Sequence, residues 1–397
     1  MDDKYISLLL ERCLNFDKTK SLFISYDVIN GDFVNKIVDK AKSMGIDDIA
    51  LDGEDINIVI EKLNNESIEE IEKDSYFDKS LWNEYALKDA AFLMLETEFP
   101  GFLDNLDQDK VIKMTEVKKK SREIFRKRES NMEIPWCIAA YPNKYWAEHI
   151  FKGSEDSYQK LYDVIMSICM VDKDNPIDSW NKHLEKVKML STRMNELQIK
   201  KMHYKNSLGT DLTVELPNNL IWNSAAEDKV LVNMPSYEIF TSPHYLKTEG
   251  IVYNSRPLIY GGALIDNFYI KFKEGKVVEY DAEIGKDVLE SIINYDSNSC
   301  YLGEVALVNY DSPISNTGLV FGTTLIDENA SCHIALGDGF KEAIEDGFDM
   351  SDEEILERGV NRSKQHVDFM IGTKDLEITA ETNQGEILLF KEGNFNI

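Results

Sequence analysis

Histidine is scarce in this chain, six in 397 residues. Cysteine is scarcer: five, standing singly at Cys13, Cys137, Cys169, Cys300 and Cys332. No two are spaced as C-x-x-C and the count is odd. This argues against a disulfide framework or a thiolate zinc site and for a reducing compartment. No apolar run approaches the roughly 20 residues of a membrane helix. The N-terminus, Met1-Asp2-Asp3-Lys4-Tyr5, lacks the apolar stretch of a secretory signal. Together these features predict a cytoplasmic protein. Basic residues are outnumbered: 44 Lys and Arg against 72 Asp and Glu leave a formal charge of −28. A surface of that sign repels phosphate backbones and anionic lipid, so nucleic acid and membranes are not expected partners, while cations are concentrated near it. One basic cluster does occur, Lys118-Lys119-Lys120 with Arg122, Arg126, Lys127 and Arg128. It falls in a helical pattern from Thr115 to Glu129 and reads as a solvated, salt-bridged face. Neither common glycine-rich phosphate loop follows the first strand, which leaves a nucleotide site without support.

What is present is an ordinary globular composition, 43% hydrophobic, in a length suited to more than one core. An amphipathic helix is predicted over 5–14, a buried strand over 21–26, a helix over 32–43 and a strand over 46–51. Strand, helix and strand in that span form a βαβ unit with parallel pairing. Further strands are expected at 90–95 and 134–142, and helices over 155–200. After Lys201 the texture changes to period-two alternation, as in 208–216, 268–272 and 276–280, with Glu274-Gly275 as a hairpin turn. The expected class is therefore α+β in two domains. Residues 1–200 would form an α/β domain with a partly parallel sheet. Residues 201–397 would form a mainly antiparallel β domain with helices, carrying the functional site.

The chemistry gathers in the last third. His366-Val367-Asp368 lies in an apolar run that reads as a strand, so the two polar side chains share a face. Asp327-Glu328-Asn329-Ala330-Ser331-Cys332-His333 reads as a loop feeding a helix, with Asp327 or Asn329 as its cap. Glu328 and His333, five apart, would stand roughly 140° apart on a regular helix. They converge only if Glu328 precedes the helix and His333 lies inside it. Glu304 opens an apolar strand, where an inward carboxylate needs a counter-charge. Imidazole and carboxylate together suit Zn²⁺, Mn²⁺ or Co²⁺.

These strings, with Tyr301-Leu302-Gly303-Glu304-Val305-Ala306-Leu307, Asp311-Ser312-Pro313-Ile314-Ser315 and Met234-Pro235-Ser236-Tyr237-Glu238-Ile239-Phe240-Thr241, resemble the thermophilic-type metallo-aminopeptidases, the aminopeptidase T and aminopeptidase S family. The resemblance spans roughly residue 130 to the C-terminus. It implies two divalent ions, zinc, cobalt or manganese, on Glu238, Glu304, Glu328, His333, His366 and Asp368, with Glu304 bridging. It further implies that a metal-bound hydroxide attacks the first carbonyl of a small peptide and releases the N-terminal residue, in a homodimer. Two positions depart from the family pattern. Phe340 stands where a tyrosine is common, and Asn309-Tyr310 where Pro-His is common, so Tyr310 becomes the candidate replacement phenol. Tyr237 stands where a second Glu is frequent. The alternative is a metal-binding peptide-recognition or regulatory protein that retains the ligands and has reduced or lost peptidase activity.

Overall fold

The computed structural model describes residues 1–16, 21–225 and 230–397. They divide into two compact units, Met1–Lys182 with Asp228–Ser236, and His183–Glu227 with Tyr237–Ile397.

In the first unit, strands β1 (Leu22–Asp27), β2 (Ile49–Glu54), β3 (Ala91–Glu96) and β4 (Trp136–Ala140) form a parallel sheet in the order β2-β1-β3-β4, extended by Asn233–Met234. Helix α1 (Gly31–Ser43) makes the first crossover and buries Phe33, Val34, Ile37 and Ala41, a single stripe at helical spacing. One core of this unit is aromatic, with Phe23, Trp82, Phe92 and Phe125 in mutual ring contact. Three sequence expectations need correction here. The N-terminal segment is α-helical only over Asp2–Ser7 and continues as a π-helix over Leu8–Cys13. Its successive Leu8, Leu9 and Leu10 are all buried, wider than one α-helical stripe. The second strand lies three residues later than expected. The basic segment is two helices, α2 (Gln108–Ser121) and α3 (Glu123–Ser130), and its cations are not all solvated. Lys118 Nζ donates to Glu54 Oε1 at 2.7 Å, and the Arg122 guanidinium lies 4.9 Å from the Trp82 ring. Acidic residues at the end of β2 supply the counter-charge that draws these side chains in.

Helices α4 (Ser157–Ile168) and α5 (Pro176–Leu197) follow, and the division between the units falls within α5. The second unit holds a nine-stranded antiparallel sheet. Its long hairpin, Ala263–Lys273 with Lys276–Ile284, turns at Glu274 (φ 50°) and Gly275 (φ 78°), the positive pair that a two-residue hairpin requires. A second antiparallel sheet of five strands runs β8 (His366–Met370), β7 (His333–Gly337), β6 (Leu302–Leu307), β5 (Ile239–Thr241) and then Asn223–Ser224. The parallel sheet first and antiparallel sheets afterwards agree with the expected α+β class.

The five-stranded sheet has two faces of different chemistry. Ile239, Val305, Leu307, Ile334, Leu336, Val367 and Phe369 alternate toward one side and join the main hydrophobic core of this unit. Period-two geometry sends the intervening residues to the other side: Phe240, Glu304, Ala306, His333, Ala335, His366 and Asp368. That face is also buried apart from the half-buried Phe240 and His366, and it carries the ionisable groups.

Candidate metal centre

Cross-strand register fixes which of these side chains meet. Asp368 pairs with Ala335, and Ala335 with Glu304, so two carboxylates flank one methyl group in a row across three strands. Ala335 leaves the space above it open to both acids. In the next row Phe240 pairs with Ala306, and Ala306 with His333, again with alanine in the middle. Glu238 immediately precedes β5. Glycines allow the close approach. A Cβ at Gly303, beside the register shift that precedes Glu304, would lie 2.0 Å from the Asp338 carbonyl oxygen. One at Gly337 (φ 107°) would lie 2.2 Å from that of Gln365.

Two triads result, Glu238–Glu304–His333 and Glu304–His366–Asp368, each with ligand atoms within 4.8 Å of one another and both containing Glu304. His366 Nε2 stands 3.0 Å from Glu304 Oε2 and 3.1 Å from Asp368 Oδ1. Its Nδ1 is 2.8 Å from the Asp338 carbonyl. His333 repeats the pattern, with Nδ1 3.2 Å from the Ser331 carbonyl and Nε2 3.1 Å from Glu238 Oε2. A backbone carbonyl holding Nδ1–H leaves Nε2 as the lone-pair donor, which is how imidazole ligands of metals are oriented. Glu238 Oε2 is buried, and its neighbour at 3.1 Å is the His333 imidazole. Such a group calls for a cation. The donor set fits divalent zinc, cobalt or manganese.

Glu328 belongs to neither triad, but it is buried beside them, where the charges of Glu238, Asp368, His333 and Glu304 all act on it. The predicted helix at His333 is not there. Thr324–Asp327 is one helical turn, Glu328–Ala330 a 3₁₀ turn, and Ser331 is extended, so His333 opens strand β7. Short polar residues break the helix after a single turn. Asp327 accepts from the N–H groups of Phe321 and Gly322, tying the turn to the segment before it. Asn329 carries two joints: its Oδ1 accepts from the Tyr237 N–H at 2.6 Å and its Nδ2 donates to Glu328 Oε1 at 3.3 Å.

Without cations the cluster holds protons. Burial, then the Asp368 charge, raises the Glu304 carboxyl well above its ordinary range. Burial and the charges of Glu238 and Asp368 also raise Glu328. Burial alone would lower the two imidazoles, but Glu238, Glu304 and Asp368 raise His333 to about 10, and Asp368 and Glu304 raise His366 strongly. Burial also opposes ionisation of Asp368, yet the His366 imidazole holds it below the usual carboxylate range. Four carboxylates around two imidazoles would be an unbalanced negative pocket if all were ionised; protons balance it in the absence of metal, and positive ions would take their place.

The Phe340 ring centroid lies 5.1 Å from that of His366 and 4.9 Å from that of Phe240, and its N–H donates to Ser242 Oγ. It therefore walls the second triad. The Tyr310 N–H donates to the Gly393 carbonyl at 2.8 Å. Tyr237 turns its ring to His183, 4.8 Å between centroids. His203 pairs with Asp211 at 2.6 Å, and the Arg256 guanidinium donates to Leu319 O and Ser315 Oγ. The Ser331 and Asp338 carbonyls were not identifiable from sequence, because every residue has one.

The family model of the thermophilic metalloproteases (M29) matches residues 2–395. The chain belongs to the M29 thermophilic metalloprotease family. This M29 metalloprotease is 36% identical over 320 residues to aminopeptidase AmpS of Bacillus subtilis (strain 168), covering 79% of the chain and 78% of the relative. It is 33% identical over 316 residues to aminopeptidase T of Thermus aquaticus, covering 78% and 77%. Among solved structures, wild-type AmpT from Thermus thermophilus superimposes with a TM-score of 0.91 at 28% identity, over 100% of this chain and 99% of that one. The M29 metalloprotease thus shares both family and fold with aminopeptidases. Among its described residues, no helix is long and apolar enough to cross a membrane.

Proposed function

We propose that this chain is a cytoplasmic aminopeptidase that removes N-terminal residues from small peptides. Two divalent ions, zinc, cobalt or manganese, would be held by Glu238, Glu304, Glu328, His333, His366 and Asp368. The observation that carries the reading is the pair of triads meeting at Glu304. A carboxylate shared by two imidazole–carboxylate sets is the donor arrangement of a two-ion site. When bound, such ions supply Lewis acidity and lower the pKa of water toward neutrality. The remaining work falls to the chain. The carbonyls of Ser331 and Asp338 keep both imidazoles aimed. Asn329 spaces Glu238 and Glu328 by way of Tyr237. The surrounding negative charge attracts the free α-ammonium of a peptide. The family resemblance supports a homodimer, and the −28 charge argues against nucleic acid or membrane partners.

The test is hydrolysis of leucyl p-nitroanilide by protein loaded with each metal in turn. Glu304→Gln is expected to lower kcat/KM at least roughly 100-fold, since it removes a ligand common to both triads. Undiminished turnover would remove Glu304 from the site. A second reading, a metal-dependent peptide-binding protein with weak or no turnover, is favoured by Phe340, which sets a ring without a hydroxyl against His366. Two bound ions with no nitroaniline release would decide for it. Phe340→Tyr is expected to raise kcat roughly tenfold by restoring a donor near the reacting carbonyl. A tyrosine variant no faster than wild type would show that the phenyl ring costs nothing.

A further inference from the structure

The carboxyl edge of the parallel sheet holds a concave feature. From β1 the chain forms β2 on one side and later β3 on the other, so the winding reverses between β1 and β3. Ligands of open α/β sheets bind outside the carboxyl ends of the strands at such reversals. Here a cavity of about 340 Å³ is lined by Asn30, three residues beyond β1, and by Tyr141, directly after β4. Asp2, Lys36 of α1, and Tyr158 and Tyr162 of α4 complete its polar lining with Asp32 and Gln159. The size suits a small metabolite.

The cavity is built rather than incidental. Asp2 Oδ1 accepts from Tyr162 at 2.7 Å and from Tyr141 at 3.2 Å, and its Oδ2 from Lys36 at 2.6 Å. The Phe33 and Tyr141 rings stack 3.8 Å apart between centroids, forming an aromatic wall. Asn30 is 5% exposed, and its Nδ2 is a buried donor with no hydrogen-bond partner. Buried donors are almost always paired, and an orphan beside a cavity points to a missing acceptor. Lys36 balances one of the two aspartates in the lining, which leaves one negative charge over.

We infer that this cavity binds a free amino acid, its carboxylate accepting from Asn30 Nδ2, its ammonium facing Asp32, and its side chain against the Phe33–Tyr141 wall. The assignment rests on the lining alone. The product of the proposed peptidase reaction belongs to the same class.

The test is isothermal titration of the full chain, stripped of metal by a chelator, with L-phenylalanine and L-leucine. Metal removal silences any binding that depends on the carboxylate cluster. Saturable binding is expected, weakened roughly tenfold by Asn30→Leu, with N-acetyl-L-phenylalanine also weaker for want of its ammonium. The melting profile of Asn30→Leu shows whether it folds. Asp32→Asn serves as the second variant, with the same expected loss. No saturable binding at millimolar amino acid overturns the inference, as does equal affinity in wild type and both variants. Binding seen only in metal-loaded protein also overturns it and assigns the amino acid to the metal centre, leaving the peptidase reading intact.

Discussion

Asn329 is fully buried between two of the acids it serves. One end of its amide accepts from the Tyr237 N–H, next to Glu238, and the other donates to Glu328 Oε1 and, at 3.4 Å, to the Leu325 carbonyl. Replacing it by alanine removes a bond to the Glu328 carboxylate and releases the backbone beside Glu238, leaving buried groups unpaired, a cost of about 1–3 kcal/mol in stability. Metal affinity should fall by roughly 10- to 100-fold, the usual effect of losing an outer partner of a ligand. Competition with a chromogenic chelator measures it, and an affinity equal to wild type would reduce Asn329 to a packing role. Glu304, His366 and Asp368 stood out as candidates in the sequence because ionisable groups are rare in an apolar strand, whereas Glu238, before β5, entered only through the family resemblance. Asn329 was legible only as a helix cap, since an amide between Glu328 and Ala330 has that commoner use. What it joins is set by a loop 92 positions away.

At the scale of elements, the strands were the most readable part. Their alternation separates the apolar face of β5 to β8 from the face that carries Glu304, His333 and Asp368, and one burial pattern enforces both. The turn at Glu328 misled because its polar residues suit a helix start. Only the pairing of β7 between β6 and β8 decides that His333 begins a strand. The break between α2 and α3 was hidden for a related reason. Lys, Arg and Glu favour helix, and nothing local shows that Asp52 and Glu54 lie opposite. Helix α3 carries a consequence. Burial raises Glu129 to about 7, against the opposing pull of Arg122 and Arg126. Its folded value lies above the ordinary 4.5, so between those values the folded chain keeps a proton that the unfolded chain releases. Stability therefore falls as pH rises through that window. Glu129→Gln removes the slope and should gain on the order of 2–3 kcal/mol over wild type on going from pH 5 to pH 8. Urea unfolding at the two pH values measures this, and a constant difference between the two proteins would refute the linkage.

The whole molecule is strongly anionic at −28, and a buried carboxylate cluster lies within it. Cations are drawn toward such a molecule, and a site of four carboxylates and two imidazoles retains them. Any ion that binds the folded chain and not the unfolded one adds stability by mass action, about 2.7 kcal/mol per site at a hundredfold excess over Kd. In a unit of this size each kcal/mol moves the transition by about 2–4 °C. Removing both ions with a chelator should therefore lower Tm by roughly 10–20 °C, and re-addition of zinc, cobalt or manganese should restore it. The sign with pH follows from the protons that Glu304, Glu328, His333 and His366 hold in the absence of cations. Each ion must displace them, so apparent affinity rises with pH, and the gap in Tm should be wider at pH 8 than at pH 6. Scanning calorimetry with and without chelator at both values measures it. A chelator-insensitive Tm would mean that the cluster keeps its protons and takes no metal, and a gap that narrows with pH would mean that the ions bind elsewhere.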